Sequence, residues 1–173
     1  WGSLLNGGRL VLVPKEIILD AHRLETALKE FQVNTLWLSS PLFTQLSEEN
    51  VSLFAPLRFL LVGGDVLSPI HINRVMEKFP QLKIINGYGP TENTTFSTTF
   101  TIDRQYPHNI PIGKPITNST AFVVAPDGAL LPVGVPGELW VGGDGIARGY
   151  LNKPELTKEK FGLAHSSKLV AHR

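Results

Sequence analysis

The stretch from Asn86 to Phe100, Asn-Gly-Tyr-Gly-Pro-Thr-Glu-Asn-Thr-Thr-Phe-Ser-Thr-Thr-Phe, gathers the side chains best suited to chemistry. Two glycines flank an aromatic ring and let a flat ligand approach the backbone closely. Tyr88 offers a stacking face and a hydroxyl. Thr91 can donate to a phosphate oxygen, and Glu92 is a hard oxygen ligand suited to Mg²⁺. The same residues also read as a Gly-Pro turn carrying a surface carboxylate. The apolar run Leu82-Lys83-Ile84-Ile85 precedes them and reads as a strand. The stretch therefore begins where open α/β sheets bind ligands, at the carboxyl end of a strand.

The elements that position this loop are legible upstream. Leu10 to Val13 is an apolar run between Gly7-Gly8 and Pro14, as expected of a buried strand. Asp20 is a plausible N-cap for a helix in which Leu24, Ala27, Leu28 and Phe31 recur at helical spacing. Val33 to Leu38 reads as a strand, and Pro41 to Glu49 as a short helix opened by its proline. Phe59 to Val62 is a further strand ending in Gly63-Gly64-Asp65. Ser68-Pro69 then opens a helix to about Phe79. This alternation predicts an α/β fold, a mostly parallel sheet with covering helices. After Phe100, Gly and Pro punctuate short runs at Ala121–Val124 and Glu138–Val141, which predicts turn-rich, antiparallel β structure. Leu156 to Phe161 reads as one or two helical turns.

Composition narrows the classes. The chain has 173 residues, 42% hydrophobic and 18% charged, with a net charge of +1 and no cysteine. That is a globular composition with no electrostatic case for nucleic acid and no thiol chemistry. No apolar run approaches the roughly 20 residues of a membrane helix, and the start lacks signal-peptide order. The expectation is a cytoplasmic protein without a membrane partner. Lys114 is followed by Pro115, which excludes a Walker loop. Gly143-Asp144-Gly145 lacks the third glycine of a dinucleotide fingerprint. The five histidines never fall at metal-ligand spacing, and there is no Gly-x-Ser-x-Gly elbow.

The string Tyr88-Gly89-Pro90-Thr91-Glu92 resembles the core motif of the adenylate-forming ligases. With Asn86 in front, it is similar to the adenylation domains of nonribosomal peptide synthetases. Two further segments match in the family's order. Leu61-Val62-Gly63-Gly64-Asp65 resembles the strand and glycine loop that faces the adenine. The segment from Gly137 to Phe161, containing Gly142-Gly143-Asp144-Gly145-Ile146-Ala147-Arg148-Gly149-Tyr150-Leu151, resembles the motif that follows the nucleotide loop. Bottom-up, that last segment is a strand, a glycine turn and a short helix, with nothing that demands catalysis. The resemblance runs over residues 1–161, as part of the large N-terminal domain of such ligases, and residues 162–173 form a tail that departs from it.

The resemblance implies roles residue by residue. Tyr88 stacks on the adenine of ATP, Asn86 hydrogen-bonds its amino edge, Gly64 and Asp65 line the opposite face, and Gly89 lies against the nucleotide. Thr91 contacts the α-phosphate, and Glu92 holds Mg²⁺. Matching the motifs puts Trp37, Leu61, Gly63, Gly87, Thr95 and Phe96 on the substrate pocket, a pattern resembling that of valine-activating domains. Trp37 and Leu61 also read as ordinary strand residues. The implied partners are an amino acid, valine favoured, and the carrier-protein and condensation domains of the same synthetase. The carrier's phosphopantetheine thiol would accept the acyl group.

Both ends read as cut. The family's Gly-rich phosphate loop, the aspartates for substrate ammonium and ribose, and the mobile lysine-bearing domain do not appear. The expectation is a fragment that does not adenylate by itself. An acyl-CoA synthetase piece and a non-catalytic fold remnant are the rival readings.

Overall fold

The computed structural model describes residues 2–161 and the backbone of 168–171. Trp1 and the rest of the tail from 162 lie outside the described residues. The chain divides into two compact units, Trp1–Ile85 with Ile102–Ile110, and Asn86–Thr101 with Pro111–Arg173.

The first unit opens with two single-turn helices, α1 (Gly2–Leu5) and α2 (Lys15–Ile18). Helix α3 (Ala21–Glu30) follows where the sequence predicts it, because Asp20 caps it. The Asp20 carboxylate accepts from His22 N–H at 3.1 Å and Arg23 N–H at 3.0 Å, satisfying two donors that have no partner within the helix. We expect Asp20→Ala to lower the unfolding free energy by about 1 kcal/mol in chemical denaturation. Glu25, within α3, accepts from Lys29 and from Asn50, each at 2.5 Å. These bonds hold its carboxyl below the ordinary carboxylate value.

Strand β1 (Thr35–Ser39), helix α4 (Ser40–Glu49), strand β2 (Phe59–Gly63), helix α5 (Pro69–Lys78) and strand β3 (Lys83–Tyr88) give the expected alternation. Prolines occupy the first turns of α4 and α5, where a missing N–H costs nothing. β1 and β2 pair in parallel, with Trp37 beside Leu61 and Ser39 beside Gly63. Leu38, Leu60 and Val62 are buried with Leu24, Leu28, Phe43, Phe54, Ile72 and Val75. The rings of Phe43 and Phe54 lie 5.6 Å apart. Trp37 alternates to the opposite face from Leu38 and is 49% exposed. A hydrogen-bond chain ties α4 to α5: His71 bonds Ser68 at 2.7 Å and Glu48 at 2.8 Å.

The run from Leu10 to Val13 is not a strand. Leu10 is 57% and Leu12 83% exposed, and the sheet begins at β1. An apolar run becomes a strand only where a neighbour accepts its backbone bonds.

In the second unit, the end of β3, strand β4 (Thr98–Ile102) and strand β5 (Lys114–Pro115) are neighbours in that order, β4 and β5 antiparallel. Strands β6 (Ser119–Val124), β7 (Glu138–Gly143) and β8 (Lys168–Ala171) form an antiparallel sheet in sequence order, the turn-rich β structure the sequence predicts. Helix α6 (Pro154–Lys160) follows β7. Among the described residues, no helix is long and apolar enough to cross a membrane.

Candidate functional site

The glycine-rich loop is tied off at its neck. β3 continues through Asn86-Gly87-Tyr88, three residues beyond the predicted strand end. The Ser97 N–H then donates to the Tyr88 carbonyl at 2.8 Å. Between these points Thr91–Asn93 forms a 3-10 turn. Thr94 and Thr95 follow at φ of 45° and 70°, left-handed values that are uncommon for β-branched residues. The Phe96 N–H donates back to the Thr94 carbonyl at 3.0 Å, folding the phenylalanine toward the strand. Gly87 makes room for it: a Cβ there would meet the Phe96 ring at 2.5 Å. At Gly89 a Cβ would lie 2.5 Å from the Ser97 nitrogen, so a side chain there would force the neck open.

Asn86 is 5% exposed, and its amide nitrogen donates to the Pro111 carbonyl at 2.9 Å. Asn93 is 1% exposed and donates to the buried Ser97 hydroxyl at 2.8 Å. Its Oδ1 is buried without a hydrogen-bond partner. A Cβ on Gly145 would sit 2.9 Å from that oxygen.

The segment after β7 grips this loop at three points. The Thr94 hydroxyl donates to the Gly145 carbonyl at 2.6 Å, and the Ala147 N–H to the Glu92 carbonyl at 2.7 Å. The Tyr150 hydroxyl donates to Glu92 Oε1. That bond, with desolvation and the charge of Glu92, holds the Tyr150 hydroxyl above the ordinary tyrosine value. Residue type alone gives Tyr150 no role, although it lies within the segment from Gly137 to Phe161. Its partner stands 58 positions away, a distance that local pattern does not bridge.

The candidate residues fall in both units. In the second, Asn86, Gly87, Tyr88, Gly89, Thr91, Glu92, Thr95 and Phe96 share one loop and its supporting strand. Thr91 is exposed and Glu92 half-buried. In the first, Trp37 and Leu61 are register partners on adjacent strands, and Gly63 ends β2. Gly64 adopts a φ of +81° with open space at its Cβ position. The Asp65 carboxylate accepts from Val66 N–H at 2.6 Å, and the Ser40 hydroxyl donates to the Val66 carbonyl at 2.8 Å. These groups border a cavity of about 470 Å³.

The loop thus joins a strand-supported pair of glycines, an aromatic ring, a hydroxyl and a tethered carboxylate. The chain belongs to the AMP-binding enzyme family, which matches residues 1–151. It is 58% identical over 161 residues to tyrocidine synthase 3 of Brevibacillus parabrevis, covering 93% of this chain and 2% of that protein. It is 59% identical over 161 residues to gramicidin S synthase 2 of Brevibacillus brevis, covering 93% of this chain and 4% of that protein. Among solved structures it resembles PA1221, a nonribosomal peptide synthetase protein containing adenylation and carrier domains. The TM-score is 0.89 at 34% identity, over 99% of this chain and 36% of that one. The N-terminal subdomain of Klebsiella oxytoca NpsA, in complex with 3-hydroxybenzoyl-AMSN, matches with a TM-score of 0.80 at 26% identity, over 98% of this chain and 44% of that one. The chain thus spans a small part of its curated relatives.

Proposed function

We propose that this chain is a segment of an amino-acid-activating domain in a nonribosomal peptide synthetase, with residues 1–161 as its adenylation part. The observation that carries this reading is the tethered loop itself, Tyr88 to Ser97 closed at its neck and held by the Gly145–Tyr150 segment. In the reaction, an amino-acid carboxylate oxygen attacks the α-phosphorus of ATP. A new P–O bond forms, the bond to the β-phosphate breaks, and pyrophosphate leaves with the electron pair. The thiol of a carrier-borne phosphopantetheine then attacks the acyl carbon and displaces AMP. Positioning and charge stabilisation supply most of the acceleration in such transfers.

Each residue contributes through the group it presents. Tyr88 supplies a ring for the adenine. Donation from the Asn86 amide nitrogen to Pro111 orients the amide, so its oxygen is the end left to accept from the adenine amino group. Gly89 keeps the backbone close to the nucleotide. Thr91, exposed on the 3-10 turn, donates to the α-phosphate.

Glu92 fits a magnesium ion. Tyr150 occupies one carboxylate oxygen, and the other is available as a hard donor. Among the described residues no group of three or more His, Cys, Asp or Glu could hold a metal. The remaining donors would come from phosphate oxygens and water, as magnesium prefers. Bound there, the ion supplies charge neutralisation at the phosphates.

For the amino acid we favour valine. Trp37, Leu61, Gly63, Gly87, Thr95 and Phe96, the positions that match the family's pocket pattern, carry no charge, which favours a small apolar amino acid. In the full-length protein, ATP–pyrophosphate exchange should be fastest with valine. Isoleucine should trail by about 10–200-fold, the range one methylene provides. Fastest exchange with a charged or aromatic amino acid, or with a fatty acid, would overturn the assignment.

A further inference from the structure

We propose that Tyr150 is the positioning residue of the Glu92 carboxylate, setting which oxygen faces the magnesium–nucleotide complex. The inference rests on the reading of Glu92 as the magnesium ligand. A glutamate side chain that reaches a metal from a short turn has free rotation about its terminal bonds, and that freedom is lost on binding. Here the Tyr150 hydroxyl donates to Oε1, while the Ala147 N–H fixes the Glu92 carbonyl at 2.7 Å. Glu92 is thus held at its backbone carbonyl and at one carboxylate oxygen, with Oε2 left to coordinate.

Tyr150 is itself fixed. Its N–H donates to the Thr157 hydroxyl at 2.9 Å, and that hydroxyl donates at 2.9 Å to the carbonyl of Lys153, the N-cap of α6. Its ring meets Phe161 edge to face, with centroids 5.5 Å apart at 84°. Gly149, at a φ of +135°, turns the chain into this position, where a Cβ would meet Thr157 at 2.5 Å. Helix α6 therefore orients Tyr150, and Tyr150 orients Glu92. Outer partners of metal-binding carboxylates act in this way, and their loss lowers metal affinity.

The test compares Tyr150→Phe and Glu92→Gln with the unaltered full-length protein. Mn²⁺ binding is followed by electron paramagnetic resonance in the presence of a non-hydrolysable ATP analogue, alongside the Mg²⁺ midpoint of ATP–pyrophosphate exchange. Phenylalanine keeps the ring against Phe161, so the melting temperature should hold. We expect Tyr150→Phe to raise both metal midpoints about 10-fold, with activity recovered at high Mg²⁺. An unchanged midpoint in Tyr150→Phe beside a raised one in Glu92→Gln overturns the positioning role and leaves the nucleotide site standing. Unchanged midpoints in both variants overturn both. If Tyr150→Phe lowers the melting temperature and exchange without moving either midpoint, Tyr150 is structural and the proposal fails.

Discussion

Replacing Glu92 by glutamine is expected to slow amino-acid-dependent ATP–pyrophosphate exchange by the full-length protein about 10²–10³-fold, the range for removing one group that stabilises transition-state charge. Glutamine keeps the side-chain length and an oxygen that can still accept from Tyr150. The Ala147 N–H still reaches the residue 92 carbonyl. What disappears is the negative charge that would hold magnesium against the phosphates. Thermal unfolding should be nearly unchanged, and the loss should fall on kcat more than on the amino-acid KM. If Glu92→Gln retains full exchange at limiting Mg²⁺, the carboxylate has no part in the reaction.

A large structural effect is expected at Gly143→Ala. Gly143 ends β7 opposite Ser119 at a φ of +118°. A Cβ there would lie 2.0 Å from the Asn118 carbonyl oxygen, which is backbone and cannot step aside. That same oxygen accepts from Asp144 N–H at 3.0 Å. Backbone strain and collision together should cost about 3 kcal/mol or more, read as a shift in the denaturation midpoint. Displacement would pass through Gly145 and Ala147 to Thr94 and Glu92, so exchange should fall as well. Gly134→Ala separates the two causes. Gly134 also has positive φ, +90°, but nothing lies within 4 Å of its Cβ position. Its cost should be limited to backbone conformation, about 1 kcal/mol. Equal destabilisation by the two substitutions would contradict the steric account.

Local chemistry made much of the first unit legible. Asp20 and the prolines at 41 and 69 mark helix starts because each answers a need of the helix terminus itself. The runs at β1 and β2 declare themselves by apolar length between turn residues. The same rule misread Leu10 to Val13, since a strand depends on a partner that the run does not contain. It also ends β3 at Ile85, where the apolar run stops. The strand continues because β4 lies beside it in the sheet and the Ser97 N–H donates to the Tyr88 carbonyl. Both partners arrive from later in the chain. Thr98–Ile102 is a strand by composition as well, but no turn signal separates it from the loop. In the site, residue types pointed to Tyr88, Thr91 and Glu92, whereas the tether from Tyr150 is a tertiary contact with no local signature.

The most direct test of the central claim, that the loop after β3 receives the adenine of ATP, is photolabelling of the full-length protein with 8-azido-ATP, followed by tryptic mapping. No Lys or Arg interrupts the sequence between Lys83 and Arg104, so the loop is released as the single peptide Ile84–Arg104. The account predicts label in that peptide, centred on Tyr88 and suppressed by excess ATP. Label that is absent from Ile84–Arg104, or that persists there under saturating ATP, would contradict it.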